Sequence, residues 1–81
     1  MQVAVDISLY PLDENFIPPI KAIIERLSRH DGVAVEYNRM STQLRGEYDV
    51  VMPALSEEIR STFEVVPHAV FAIKILNNPV N

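Results

Sequence analysis

Apolar residues in this chain recur at two different spacings, and the order in which those spacings follow one another limits the fold to few topologies. Alternate residues are apolar in three segments, which is typical of half-buried strands, and two longer segments have the 3.6-residue period of amphipathic helices. A short polar segment after the second strand is predicted to be a further strand. In chain order we predict strand 2–10, helix 15–30, strand 33–38, strand 41–47, a helix from Tyr48 or Asp49 to just before Pro67, and strand 68–76.

The order β-α-β-β-α-β is that of a ferredoxin-like α+β fold. Right-handed crossovers place both helices on one face of a four-stranded antiparallel sheet. With 81 residues, 48% of them hydrophobic, the chain fits a single domain with a modest core. We assign that domain to residues 1–77 and treat 78–81 as a C-terminal tail. Gly46, where the third strand meets the second helix, is predicted to relieve crowding there or to adopt a positive φ.

The composition argues against several classes of function. The chain has no cysteine, a net charge of −4 and no basic cluster, so thiolate chemistry and nucleic-acid binding are not expected. No segment approaches the roughly 20 apolar residues of a membrane span, so no membrane insertion is predicted. Asp6 interrupts the N-terminal apolar run, which therefore does not resemble a signal peptide. A cytoplasmic protein fits these features.

The titratable residues do not form a recognisable catalytic set. His30 and His68 are the two histidines, and no partner spacing around them suggests a metal site. Glu57 and Glu58 are adjacent on the second helix and are predicted to be solvated. We therefore expect no enzymatic activity, no catalytic residue, no metal and no cofactor. The buried stripe of the second helix is predicted to be Tyr48, Val51, Leu55, Ile59 and Phe63.

The sheet face that points away from the helices is predicted to be small and polar. Asp6 and Lys74 lie on strands that are neighbours in this fold, so the two side chains can pair. Small residues between polar groups can form the floor of a ligand site. Such a face can equally be solvated or bind another subunit. The predicted members of this face are Ala4, Asp6, Ser8, Tyr10, Ala34, Glu36, Asn38, Val70, Ala72 and Lys74.

The segment EYNRMSTQLRGEYD, residues 36–49, joins two strands without the usual Asn-Gly or Asp-Gly turn. The side chains of Asn38 and Ser41 can close a longer loop by bonding to nearby backbone groups. Alternatively, Asn38, Ser41 and Thr42 lie near the open face and hydrogen-bond a heterocycle. Met40 would then be an adaptable apolar contact.

Three segments stand in a particular order and spacing: ISLYPL at 7–12, NRMSTQLRGEYDVVMPAL at 38–55 and FAIKI at 71–75. Together they resemble the YkoF-like family of thiamine- and hydroxymethylpyrimidine-binding proteins. The resemblance covers nearly the whole chain. Its most specific part is the Ser-Thr-x-x-x-Gly segment at 41–46, which runs into a predicted helix.

The resemblance implies a cytoplasmic domain that binds thiamine (vitamin B1) or its hydroxymethylpyrimidine moiety without catalysis, in thiamine uptake, salvage or homeostasis. It also implies a homodimer or homotetramer and a functional link to a thiamine-precursor transporter. The alternative is an oligomeric structural or regulatory module that uses the open sheet face and binds no small ligand. By position, the implied ligand contacts are Ser8, Tyr10, Asn38, Met40, Ser41 and Thr42. The candidate charge partners are Asp6, Glu36 and Lys74.

Overall fold

The computed structural model describes residues 1–79, and its six elements follow the predicted order. The last two residues of the predicted tail, 78–81, lie outside the described part. Every predicted element is present, with ends that differ from the prediction by at most two residues. The elements are β1 (Gln2–Pro11), α1 (Ile17–Ser28), β2 (Ala34–Tyr37), β3 (Thr42–Glu47), α2 (Tyr48–Val65) and β4 (Ala69–Asn77).

The four strands form one antiparallel sheet in the order β2-β3-β1-β4, as a ferredoxin-like fold requires. β1 lies in the interior of the sheet because it pairs with β3 on one side and with β4 on the other. Alternate residues of β1 face the two helices and are almost completely buried. The buried apolar core consists of Val3, Val5, Ile7, Leu9, Ile23, Leu27, Val33, Leu44, Val51, Ala54 and Leu55.

The buried stripe of α2 differs from the prediction. Tyr48 and Phe63 are about half exposed, at 43% and 49%. A stripe built on steps of four residues rotates by about 40° per step relative to a 3.6-residue helix, so it leaves the buried face within a few turns. The observed set mixes steps of three with steps of four, as from Val51 to Leu55, Glu58 and Thr62, and this keeps it on one side of the helix. The buried residues of α2 are Val51, Ala54, Leu55, Glu58 and Thr62.

Gly46 lies where three elements approach one another, which confirms the crowding predicted there. A Cβ atom at this position would overlap the carbonyl oxygen of Gly32, in the loop between α1 and β2. It would also lie 3.0 Å from Cγ2 of Val51 in α2. Any side chain at position 46 would therefore push the β2 entry loop and α2 away from β3.

Candidate functional site

The turn between β2 and β3 is held together by the side chain of Asn38. Its Oδ1 atom accepts hydrogen bonds from the backbone N–H of Met40 at 2.8 Å and of Ser41 at 3.1 Å. The backbone N–H of Asn38 donates to the carbonyl oxygen of Ser41 at 3.1 Å, at the base of the turn. The turn-closing role foreseen for Asn38 is thus present, and it occupies the amide oxygen while leaving the amide N–H groups out of the turn.

Ser41 connects the turn to a polar network on the open sheet face. Its hydroxyl donates to Oδ1 of Asp6 at 2.5 Å. The side-chain N–H of Gln43 lies 3.1 Å from the same oxygen and 2.6 Å from Oγ of Ser41. The hydrogen bonds from Ser41 and then Gln43, with a smaller contribution from the charge of Lys74, hold the pKa of Asp6 below its ordinary value.

Replacing Ser41 with alanine is expected to raise the pKa of Asp6 toward its ordinary value, because the largest of these stabilising contacts is lost. The lowered pKa means that the network stabilises the fold above the unfolded-state pKa of Asp6 and that this contribution disappears as the pH falls through the folded-state pKa. A carboxyl-carbon NMR titration of Asp6 measures the change directly. Ser56→Ala, an exposed serine on α2, is the control, and an unchanged Asp6 pKa in Ser41→Ala would contradict the network.

A groove of about 440 Å³ lies beside the turn, between the C-terminal half of β1 and the N-terminal half of α1. This volume is within the roughly 300–1,000 Å³ typical of small-molecule sites. Its walls are largely apolar and include several hydroxyl and amide groups. All six residues predicted as ligand contacts line it: Ser8, Tyr10, Asn38, Met40, Ser41 and Thr42. Further lining comes from Ile7, Leu9, Pro11, Leu12, Phe16, Ile20, Ile24 and Arg39.

Thr42 reaches the groove from a different side than predicted. It pairs with Ile7 across β1 and β3 and is only 8% exposed, so it faces the helices. The prediction that Thr42 shares the open face with Ser41 is therefore wrong. Neighbouring residues of a strand point to opposite faces, and Thr42 has the same parity as the buried Leu44. That parity was the signal in the sequence.

The predicted charge partners line a second depression, which lies on the open face. Glu36, Gln43, Asp6 and Lys74 are register partners and form one row across all four strands. Asp6 and Lys74 are thus directly opposite, as predicted. The depression measures about 660 Å³, and its polar lining residues are Asp6, Glu36, Gln43, Arg45 and Lys74. It is separate from the groove, although the bond between Asp6 and Ser41 connects their linings.

A buried ion-pair cluster joins α1 to α2 and was missed in the sequence. Oε1 of Glu58 accepts from Nε of Arg26 at 2.7 Å, and its Oε2 lies 2.7 Å from Nε2 of His30. Thr62 accepts from Arg26 and donates to the Glu58 carbonyl. Burial raises the pKa of Glu58, but the bonds from His30 and Arg26 outweigh burial and leave the pKa below its ordinary value.

The solvated position predicted for Glu58 is wrong, since its side chain is 7% exposed. Its spacing to Leu55 and Thr62 places it on the buried stripe of α2, where a carboxylate requires a partner. His30, Glu57 and Glu58 have potential metal-ligand atoms within 4.8 Å of one another. The guanidinium of Arg26 on the same carboxylate opposes a cation there, so we interpret the cluster as a structural link between the helices.

Neither helix in residues 1–79 is long and apolar enough to cross a membrane. The model of the YkoF-related family matches residues 2–81. The chain belongs to the YkoF-related family. No protein of curated function matches it.

Solved structures similar to this YkoF-related chain support the fold. The hypothetical protein MJ1052 from Methanocaldococcus jannascii is 27% identical, with a TM-score of 0.83 over 99% of this chain and 84% of its own. SP2199 from Streptococcus pneumoniae is 22% identical, with a TM-score of 0.89 over 99% and 90%. TM0486 from Thermotoga maritima, whose name refers to thiamine biosynthesis or salvage, is 24% identical, with a TM-score of 0.84 over 96% and 85%.

Proposed function

We propose that this YkoF-related protein binds thiamine, or the hydroxymethylpyrimidine moiety of thiamine, in the groove between β1, α1 and the β2–β3 turn. The observation that carries the proposal is that all six family-implied contact residues line this one groove. The name of TM0486 points to the same vitamin. The protein binds without chemical turnover and without a cofactor, as a cytoplasmic component of thiamine uptake, salvage or homeostasis linked to a thiamine-precursor transporter.

The lining of the groove suits a flat heterocycle with polar edges. Phe16, Ile20 and Met40 supply apolar contacts, and Met40 is 85% exposed, so its side chain is free to adapt to a ring. Ser8 and Tyr10 supply hydroxyl groups on the open-face side of β1. Hydrogen bonds to ring nitrogens give specificity because an analogue that lacks them leaves polar groups of the site unpaired.

The electrostatics of the adjoining face also suit thiamine, whose thiazolium ring is cationic. Asp6 is held ionised by Ser41 and Gln43, and Ser41 also lines the groove. Glu36 adds a second carboxylate in the same row of the sheet. A carboxylate near the groove favours a cationic ligand over a ligand that carries a negatively charged phosphate group.

Isothermal titration with thiamine and, separately, with hydroxymethylpyrimidine tests the proposal. We expect saturable binding that Asn38→Ala weakens about tenfold or more, because the turn that positions Met40 and Ser41 loses both side-chain bonds. Ser56→Ala, on the exposed face of α2, is the matched control and should bind as the unmodified protein does. A well-folded protein that gives no heat with either ligand would overturn the proposal.

The second candidate is an oligomeric interaction module that uses the open face. The row from Glu36 to Lys74 has opposite charges at its two ends, so two copies related by a two-fold axis can pair them. Leu76, which is 57% exposed, borders this row, and Val70, which is 50% exposed, lies farther along the same face of β4. If the protein is such a module, Ala72→Glu should abolish a homodimer or homotetramer seen by sedimentation velocity. Isothermal titration with thiamine should then give no heat of binding.

A further inference from the structure

β1 is longer than the strand beside it at the groove. β3 begins at Thr42, which pairs with Ile7, whereas β1 continues to Pro11. The ladder between them therefore stops at Ile7 and Thr42, while the opposite edge of β1 stays paired with β4 as far as Pro11. The last residues of β1 therefore have a strand neighbour on one side only.

The direction of the backbone groups of β1 follows from bonds at its two ends. The N–H of Leu12 donates to the carbonyl oxygen of His68, and the carbonyl oxygen of Gln2 accepts from Asn78. Even-numbered residues of β1 therefore present their polar groups to β4, and the register between these strands has no bulge. On the other side, the carbonyl oxygen of Met1 accepts from Tyr48. Odd-numbered residues accordingly face β3.

Leu9 therefore directs its N–H and C=O toward the side on which β3 has no residue to pair with them. The residue that would continue the register there is Met40, in the turn. The N–H of Met40 donates instead to the side chain of Asn38, which holds the turn in its bend. Among residues 1–79, the hydrogen bonds outside helices and strands include none to Leu9. Leu9 also lines the groove, which lies beside β1 on the side where β3 provides no pairing residue.

One residue of an extended strand presents its N–H and C=O side by side, as a hydrogen-bonded pair in a sheet uses them. A ring nitrogen next to an exocyclic amino group has the complementary pattern, an acceptor beside a donor. We propose that the main chain of Leu9 binds the aminopyrimidine edge of the ligand, which takes the place of the missing strand residue. The inference rests on the proposed function and assigns the specificity of the site to a backbone pair that no side-chain substitution removes.

This arrangement predicts that the protein distinguishes ligands that differ in one substituent of the pyrimidine ring. A 4-oxo analogue of thiamine, in which the amino group is replaced by a carbonyl, presents an acceptor where the amine donated and a ring N–H where the nitrogen accepted. Both bonds to Leu9 would then become repulsive contacts. The thiazolium ring and the apolar contacts of the groove are the same for both compounds. The difference in affinity therefore measures the contribution of the hydrogen bonds at the aminopyrimidine edge.

Hydrogen exchange of the Leu9 amide, followed by NMR on the full ¹⁵N-labelled chain with and without thiamine, tests the inference. Without ligand we expect fast exchange, and with saturating thiamine a slowing of about tenfold or more. Val35 is the internal control. The bond from Asn38 to Ser41 shows that even-numbered residues of β2 direct their backbone N–H and C=O toward β3. The backbone N–H of Val35 therefore points away from the sheet. Its amide should exchange fast in both states. By titration calorimetry, the 4-oxo analogue should bind about tenfold or more weakly than thiamine.

The outcomes separate this inference from the function on which it rests. Protection of the Leu9 amide in the free protein would overturn the inference, since the amide would already have a partner. Thiamine binding with unchanged Leu9 exchange and equal affinity for the 4-oxo analogue would overturn it too, while leaving the proposed function standing. An absence of thiamine binding would overturn both. Replacing the Leu9 amide by an ester, which keeps the side chain and removes the N–H, should weaken thiamine binding while the same change at Val35 should not.

Discussion

Gly46→Ala is expected to lower the free energy of unfolding by about 3 kcal/mol, at the upper end for overpacked sites. The added methyl group overlaps the backbone carbonyl of Gly32 and presses on Val51, and a backbone oxygen cannot move aside as a flexible side chain can. Urea unfolding followed by circular dichroism measures the change from the shift in midpoint at constant slope.

Gly32→Ala is the matched comparison for this prediction. Gly32 has a φ of +82°, in the left-handed region, so alanine there costs about 1–2 kcal/mol of backbone strain. The nearest atom to its added Cβ is a side-chain methyl group of Val50 at 3.2 Å, which can shift. We therefore expect the smaller loss from Gly32→Ala. A loss from Gly46→Ala equal to or below it would contradict the close approach of the three elements.

Glu58→Ala is expected to lower the free energy of unfolding by about 3 kcal/mol, because removal of one partner leaves a part-buried charge without compensation. The value is placed at the low end for buried pairs since the Arg26 side chain is 31% exposed and can reach water. Thermal unfolding of Glu58→Ala and of the unmodified protein measures the difference. Because the pKa of Glu58 is lowered in the fold, the stabilisation is complete above its unfolded-state pKa and is lost as the pH falls through the folded-state value.

Glu57→Ala is the control, since Glu57 is the exposed neighbour on the same helix and carries the same charge. It should change the stability by less than about 0.5 kcal/mol. If Glu58→Ala and Glu57→Ala unfold at the same temperature, the cluster does not hold the helices together.

The strands and the sheet order were predictable because alternation is a local pattern with a single structural interpretation. β1 alternates over its whole length, and its buried and exposed residues lie as expected. The register that places Asp6 opposite Lys74 followed from the topology alone, whereas the hydrogen-bond partners of the Asp6 carboxylate are Ser41 and Gln43. Thr42 was misplaced because the polar residues of the turn were treated as one group, although strand parity separates Thr42 from Ser41.

The site depends more on tertiary contacts than the strands do. Glu58 was assigned to solvent because its partners, Arg26 on α1 and His30 just after it, lie about 30 residues earlier in the chain. The unpaired backbone groups of Leu9 result from β3 beginning at Thr42 while β1 continues to Pro11, which is a difference in length between two strands. No residue type marks such a difference, so composition and spacing give no indication of it.

The interior position of β1 has a consequence for how this domain is made. The first strand of the chain obtains one of its two neighbours only from residues 69–77, the last strand, so the largest set of long-range pairings closes last. During synthesis, one edge of β1 stays without its strand neighbour until residues 69–77 have left the ribosome. Such non-local closure is intrinsically slow, and an unpaired strand edge is prone to aggregation during that interval.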